Sequence, residues 1–297
     1  MCRHLAYLGP PVELARLVLT PSHGLYEQSW APRRQTHGVV NADGFGLGWY
    51  PSGSEAGEAA DGYGGDGRSS ADVLGLGGGD AQPARYRRAV PIWTDPNVPE
   101  LARAIRSHAV IAAVRSATAG TGHEETAPAP FRDGRFLFSH NGAIPDWTRL
   151  PAEVAPVLGA VDPADLLTLE ARTDSALLWL LIYRQLRRGI ALDEALATVL
   201  HAVAGVRPTA RLNLLLTDGR TLVASRFGDT LWYRVGAGSI LVASEPDDEY
   251  PEAADSSDPS DATDAWREVP EDTLLLATVA GVVRTTPLRA SYAAARK

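Results

Sequence analysis

Residues 174–226, DSALLWLLIYRQLRRGIALDEALATVLHAVAGVRPTARLNLLLTDGRTLVASR, contain the change of periodicity that decides the fold. Asp174 to Arg188 is apolar nearly all round, as expected of a helix sandwiched between layers. Leu196, Val199, Leu200 and Val203 mark one face of a second helix, with Asp193 as its N-cap and Gly205 beyond its end. Short strands follow at Leu212–Thr217, Thr221–Arg226, Leu231–Val235 and Ile240–Ala243. Asp218-Gly219, Gly228-Asp229 and Gly236–Gly238 join them, which predicts an antiparallel meander.

Working outward toward the N-terminus, His4–Leu8 reads as a strand and Val12–Leu19 as a short helix. Phe45–Tyr50 and Ala109–Val114 read as strands, the second preceded by a helix over Pro99–Arg106. Phe136–Ser139 is a further strand ending at Asn141-Gly142. Helices grouped mid-chain between runs of strands predict a layered α+β fold rather than a doubly wound parallel sheet. Residues 51–82 and 246–263 are poor in core-forming side chains and are expected to be mobile insertions in a single domain spanning residues 1–297.

At 297 residues, 45% apolar and 22% charged, the chain is long enough to bury a core without a disulfide or metal staple. Cys2 is the only cysteine, so no internal disulfide is possible. The N-terminus lacks the plan of a signal peptide, and the most apolar run, Ala176–Tyr183, is far short of the roughly 20 residues of a transmembrane helix. A cytoplasmic protein is expected. The net charge of -8 argues against nucleic acid and tilts toward cationic or neutral ligands. Nothing in the sequence calls for a cofactor or a metal.

Removal of Met1 would leave Cys2 with a thiol and an α-amine on one residue. The amine titrates near ~7.7 to 8.0 and the thiol near ~8.5, so at neutral pH the amine can take the thiol proton. The competing reading is an inert cysteine buried in the first strand. Asn141-Gly142 offers a side-chain amide and a close-approaching backbone N–H to a developing oxyanion; the same pair also reads as a plain hairpin turn. Arg115 can clamp a carboxylate in a bidentate fork or serve a surface ion pair. Asp174 can accept from an ammonium or act as an N-cap.

The order Cys2, Arg115 with Thr118, His140-Asn141-Gly142, and Thr173-Asp174 resembles the glutaminase domain of the class II glutamine amidotransferases, within the N-terminal nucleophile hydrolases. The resemblance implies a four-layer αββα sandwich with mainly antiparallel sheets. It also implies Cys2 as nucleophile, Asn141 and Gly142 as oxyanion hole, Arg115 and Asp174 as carboxylate and amine clamps, and Thr118 as an aid to substrate binding. His140 is expected to orient the turn rather than act as base. NADGFGLGWY, residues 41–50, resembles the Gly-rich loop that packs beside the nucleophile, making Asn41 and Gly46 secondary substrate-site candidates; a tight turn feeding a strand is the alternative.

Family members commonly join this domain to a synthase that takes the released ammonia, whereas here the motifs and strands are expected to fill the chain. MCRHLAYLGPP, QSWAPRRQTHGVVNADGFGLGWY, PARYRRAVPIWTD, AAVRSAT and FSHNG resemble a free-standing member. The implied partner is a small γ-glutamyl substrate whose leaving group is a large quaternary-ammonium amine, with no nucleic acid or membrane involved. Trp30, Trp49 and Tyr50 are then the first aromatic candidates for the cation. The alternatives are a glutaminase subunit feeding ammonia to a separate synthase, and a silent binding protein on the same fold.

Overall fold

The computed structural model describes residues 2–51, 82–117, 121–247, 265–281 and 283–288. Nearly all of the two expected insertions, and Thr118, lie outside the described residues. In chain order, β1 (Arg3–Glu13), α1 (Leu14–Val18), α2 (Leu25–Gln28) and β2 (Phe45–Trp49) precede β3 (Ala84–Arg88), α3 (Val98–Ala104) and β4 (Arg106–Val114). After β5 (Phe131–Asp133) and β6 (Phe136–Ala143) come α4 (Leu150–Leu158), α5 (Pro163–Leu167), α6 (Asp174–Leu186) and α7 (Leu192–Val206). Then follow β7 (Arg211–Thr217), β8 (Thr221–Arg226), β9 (Trp232–Gly236), β10 (Ser239–Ala243), β11 (Arg267–Glu268), β12 (Thr273–Thr278) and β13 (Val283–Pro287).

The strands form two antiparallel sheets, one ordered β11-β9-β10-β1-β4-β2-β3 and the other β13-β12-β8-β7-β6-β5. Period-two alternation along β1 divides its side chains between two cores. Leu5 packs outward with Leu14, Val18, Leu25 and Val98 from the first three helices. Ala6 and Leu8 pack inward against Leu137, Leu215 and Leu222 of the second sheet. On the far side of that sheet, Leu150, Leu177, Ile182, Leu196 and Val203 cover Phe138, Leu214 and Leu216. These three cores separate four layers, helix, sheet, sheet, helix, so the α+β sandwich with mainly antiparallel sheets is the observed fold.

Several local readings are corrected. β1 continues through Pro10-Pro11 to pair Val12 with Ser107 and Glu13 with Arg106, so the helix expected from Val12 begins only at Leu14. Gly205 lies inside α7 and Asp193 in its first turn, the N-cap being Ala191. The expected four-strand meander does not form. β7 and β8 make a hairpin in one sheet, but the chain then crosses to the other, where β9 pairs with β10. The Asn213 side chain holds that crossover: its Oδ1 accepts from the Phe227 N–H and its Nδ2 donates to the Asp229 and Thr230 carbonyls.

β1 and β6 lie face to face in the two stacked sheets, and the fully buried His4 reaches across with Nδ1 3.0 Å from Ser139 Oγ. That stacking sets Cys2, just before β1, over the end of β6.

Candidate active site

Cys2 opens into a cleft lined also by Arg115, Ser116, His140, Gly142, Asp174 and Ser175. Arg115 and Ser116 follow β4, the neighbour of β1 in its sheet, and His140 and Gly142 lie in β6. Asp174 and Ser175 begin α6, which packs beneath the second sheet.

The Cys2 nitrogen donates to Asn141 Oδ1 at 3.1 Å, and Cys2 Sγ is 3.9 Å from the Ser116 carbonyl oxygen. Asn141 is fully buried beneath Cys2, and its Nδ2 donates to Ser244 Oγ at 3.3 Å. Asn141 and Gly142 do not form a hairpin turn. They lie within β6, paired with Asn213 and Leu212 of β7, because the ladder continues past Ser139 to Ala143. Glycine is required at 142: a Cβ there would run into the Arg211 carbonyl oxygen and come within 2.6 Å of His140 Nε2.

His140 orients a strand, not a turn. Its Nε2 is 2.9 Å from the Arg211 carbonyl, which can only accept, so the proton is assigned to Nε2 and Nδ1 accepts from Ser175 Oγ at 3.0 Å. Both ring nitrogens are committed, which removes His140 as a general base.

Arg115 is only 7% exposed and makes no ion pair among the described residues, so the surface-pair reading is overturned. Its guanidinium donates to the neutral oxygens of Asp43 (backbone), Thr121 and Gly122, the last at 2.9 Å. Asp174 is not the N-cap of α6. Thr173 fills that place, its side chain accepting from the Ala176 N–H at 3.1 Å. Asp174 instead accepts from the backbone N–H groups of Ile144, just past β6, at 3.0 Å and of Ser175 at 2.8 Å. A carboxylate has about four acceptor sites, so Asp174 keeps capacity for a further donor. The cleft thus holds one buried cation and one buried anion.

Other candidates do not line the cleft. Asn41 is fully buried, donating Nδ2 to the Gln28 carbonyl and Gln35 Oε1, each at 3.0 Å. Gly46 lies in β2, where a Cβ would collide with the Ala129 carbonyl, so its role is close packing. Tyr50 is buried between the sheets, its single hydroxyl hydrogen donated to the Arg135 carbonyl at 2.5 Å with the Thr217 carbonyl at 3.1 Å sharing it. Trp49 packs against the outer core of the first sheet, and Trp30 stacks edge-on against Tyr26 and Trp93 at 5.1 and 5.7 Å. None of these aromatics reaches the cleft, because the pleat and the helix layer turn them elsewhere.

Sequence reading missed the support behind the site. Ser244, just past the end of β10, donates to the His4 carbonyl and accepts from the His4 N–H at 3.0 Å while holding Asn141. Arg3 is fully buried and donates Nε to the Cys2 carbonyl at 2.9 Å. Burial pulls the Arg3 guanidinium below its ordinary range, opposed by the charges of Glu245 and Asp229. Burial raises Glu245, but the His23 contact and Arg3 overcome it and hold that carboxyl low. Burial pushes His4 well below 6.5, helped by the Arg3 charge. Adjacency to Cys2 was the one signal that pointed to Arg3; Ser244 is 240 residues from His4 and carried none.

Residues 87–237 match the sequence family of class-II glutamine amidotransferases. The chain is 38% identical over 290 residues to a gamma-glutamyl-hercynylcysteine sulfoxide hydrolase of Mycobacterium tuberculosis, covering 98% of each. It is 36% identical to the protein of that name from Mycolicibacterium smegmatis, over 97% of this chain and 100% of the relative. In fold it is similar to a glutamine aminotransferase class-II domain protein from Silicibacter pomeroyi, with a TM-score of 0.56 and 22% identity over 97% of this chain and 99% of that one. The family match over half the chain and the near full-length identity to two hydrolases lead to one conclusion: this chain belongs to the class-II glutamine amidotransferases.

Proposed function

We propose that the protein hydrolyses the γ-glutamyl amide bond of γ-glutamyl-hercynylcysteine S-oxide, giving glutamate and hercynylcysteine S-oxide in ergothioneine biosynthesis. The observation that carries the chemistry is the 3.1 Å contact of the Cys2 nitrogen with Asn141, buried beneath a cleft lined by Cys2, Arg115 and Asp174. The substrate is carried by 38% identity to a hydrolase of that name across 98% of both chains.

With Met1 removed, the Cys2 α-amine donates one N–H to Asn141 Oδ1 and keeps its lone pair for the thiol proton. The thiolate attacks the γ-carbonyl carbon. The Gly142 N–H and the second Nδ2 hydrogen of Asn141 are the donors for the resulting oxyanion. As the tetrahedral intermediate collapses, the C–N bond breaks, the leaving amine takes the proton held by the α-amine, and a γ-glutamyl thioester remains. Water adds to the thioester, passing its proton to the α-amine, and expels glutamate and the thiol. Arg115 receives the α-carboxylate in its fork and Asp174 the α-ammonium, which places the scissile carbonyl over Cys2. Thr118 stands beside Arg115 in sequence and assists binding. The enzyme works in the cytoplasm; among the described residues, no helix is long and apolar enough to cross a membrane.

The test is kcat/KM for the S-oxide substrate, for its analogue lacking the N-methyl groups, and for glutamine. The S-oxide is expected to exceed glutamine by at least tenfold, roughly the worth of one desolvated cation contact. Equal values for all three would replace this reading with a glutaminase subunit serving a separate synthase.

A further inference from the structure

The residue after the nucleophile has a side chain that neither lines the cleft nor reaches solvent. Arg3 is fully buried on the face of β1 opposite His4, and its Nε donates to the Cys2 carbonyl at 2.9 Å. The first residue of a mature chain has a single covalent neighbour and frays unless it is tied down. The ladder between β1 and β4 begins only at the Arg3–Val114 pair, so it does not hold Cys2. Asn141 takes the Cys2 nitrogen and the Ser116 carbonyl faces its sulfur, but the amine and the thiol both exchange protons during acyl transfer. The carbonyl is the one polar group of Cys2 that takes no part in the chemistry, and Arg3 holds it.

A buried guanidinium needs counter-charge, and here it is supplied by two carboxylates that are themselves anchored. Glu245, 1% exposed, accepts the Arg33 and Arg34 backbone N–H groups at 2.9 and 2.7 Å. Asp229, 6% exposed, pairs with Arg211 at 3.2 Å, and the Arg211 carbonyl accepts from His140 at 2.9 Å. The charges that offset the burial of Arg3 thus sit on carboxylates fixed to the backbone of residues 33–34 and, through Arg211, to the strand that carries His140, Asn141 and Gly142.

We propose that Arg3 is a positioning residue for the acyl-transfer step: by holding the Cys2 carbonyl with a fully buried side chain, it sets the direction of the thiol and α-amine toward the bound amide. This rests on Cys2 being the nucleophile, and Cys2→Ala tests that reading separately. An active Cys2→Ala enzyme would defeat the nucleophile assignment, whereas the Arg3 variants retain Cys2 and report on positioning alone.

The experiment measures kcat, KM and Tm of the mature enzyme and its Arg3→Lys and Arg3→Met variants on the γ-glutamyl S-oxide substrate, normalised to Cys2 alkylated by iodoacetamide as counted by mass spectrometry. Misplacement of a reacting group by an ångström costs on the order of a hundredfold, so Arg3→Met is expected to lose about that much kcat with KM within about threefold. Arg3→Lys, which keeps the charge and a donor, is expected to lose only about tenfold. Native kcat per folded molecule in Arg3→Met, a loss confined to KM, or equal losses in both variants would overturn the proposal. If Arg3→Met does not fold, Arg3→Lys decides alone: a drop in kcat at unchanged KM and Tm supports the proposal, and native kcat overturns it.

Discussion

The Cys2 nitrogen and Asn141 Oδ1 are 3.1 Å apart although 139 residues separate them in the chain. The two sheets create that contact by stacking β1 over β6, so the start of one strand lies above the end of the other. Asn141 is fixed from the opposite side by Ser244 at 3.3 Å, so the carboxamide presents its oxygen to the nucleophile residue. An N–H bond to that oxygen leaves the lone pair of a mature α-amine for the thiol.

The mature chain is expected to begin at Cys2, because an amine acylated by Met1 has no basic lone pair. Intact mass spectrometry of active enzyme checks this, and activity in a preparation that retains Met1 would contradict it. Cys2→Ala is expected to abolish turnover with Tm unchanged within a few degrees.

Asn141→Ala is expected to lower kcat by about 10²- to 10³-fold with a much smaller change in KM, since the lost donor strengthens only as the oxyanion forms. Steady-state kinetics decide it. A change confined to KM would remove Asn141 from the oxyanion hole.

Arg115→Lys and Asp174→Asn are expected to act mainly through binding. Each exchanges a charge-assisted contact for a weaker one, so KM is expected to rise about tenfold or more. The discriminating measurement uses a substrate whose α-carboxylate is amidated: Arg115→Lys is expected to lose most of the native preference for the free acid. An undiminished preference would place the carboxylate clamp elsewhere.

His4 makes stability pH-dependent. Its folded-state pKa lies well below 6.5, chiefly through burial, so the unfolded chain binds more protons than the folded one between those two values. The contribution is fully present above pH 6.5 and is lost as pH falls through the folded value. Tm is therefore expected to decline from pH 7 toward pH 5, and His4→Gln is expected to flatten that slope. An identical slope in the variant would assign the decline to other groups.

The sequence by itself determined the residue types at the site and the layered class of the fold. A cysteine at position 2, an arginine after an apolar strand and an Asn-Gly pair are chemical identities, readable without coordinates. The apolar surround of residues 174–188 likewise predicted a helix packed on more than one side, and α6 contributes Leu177, Leu178, Trp179, Leu181 and Ile182 to its core. Tertiary structure alone decided which of two adjacent cap-forming residues capped α6. Thr173 took the cap because the Ile144 N–H, brought up by β6, took the Asp174 carboxylate. It also decided that Asn141-Gly142 extends a strand, since β7 supplies the partners a hairpin turn would not have. Tyr50 went to the core because Ser107, Arg135 and Thr217 meet it there. Side-chain chemistry is a property of one residue, whereas partnership depends on which strands stack, and stacking is settled only when all the apolar faces are buried together.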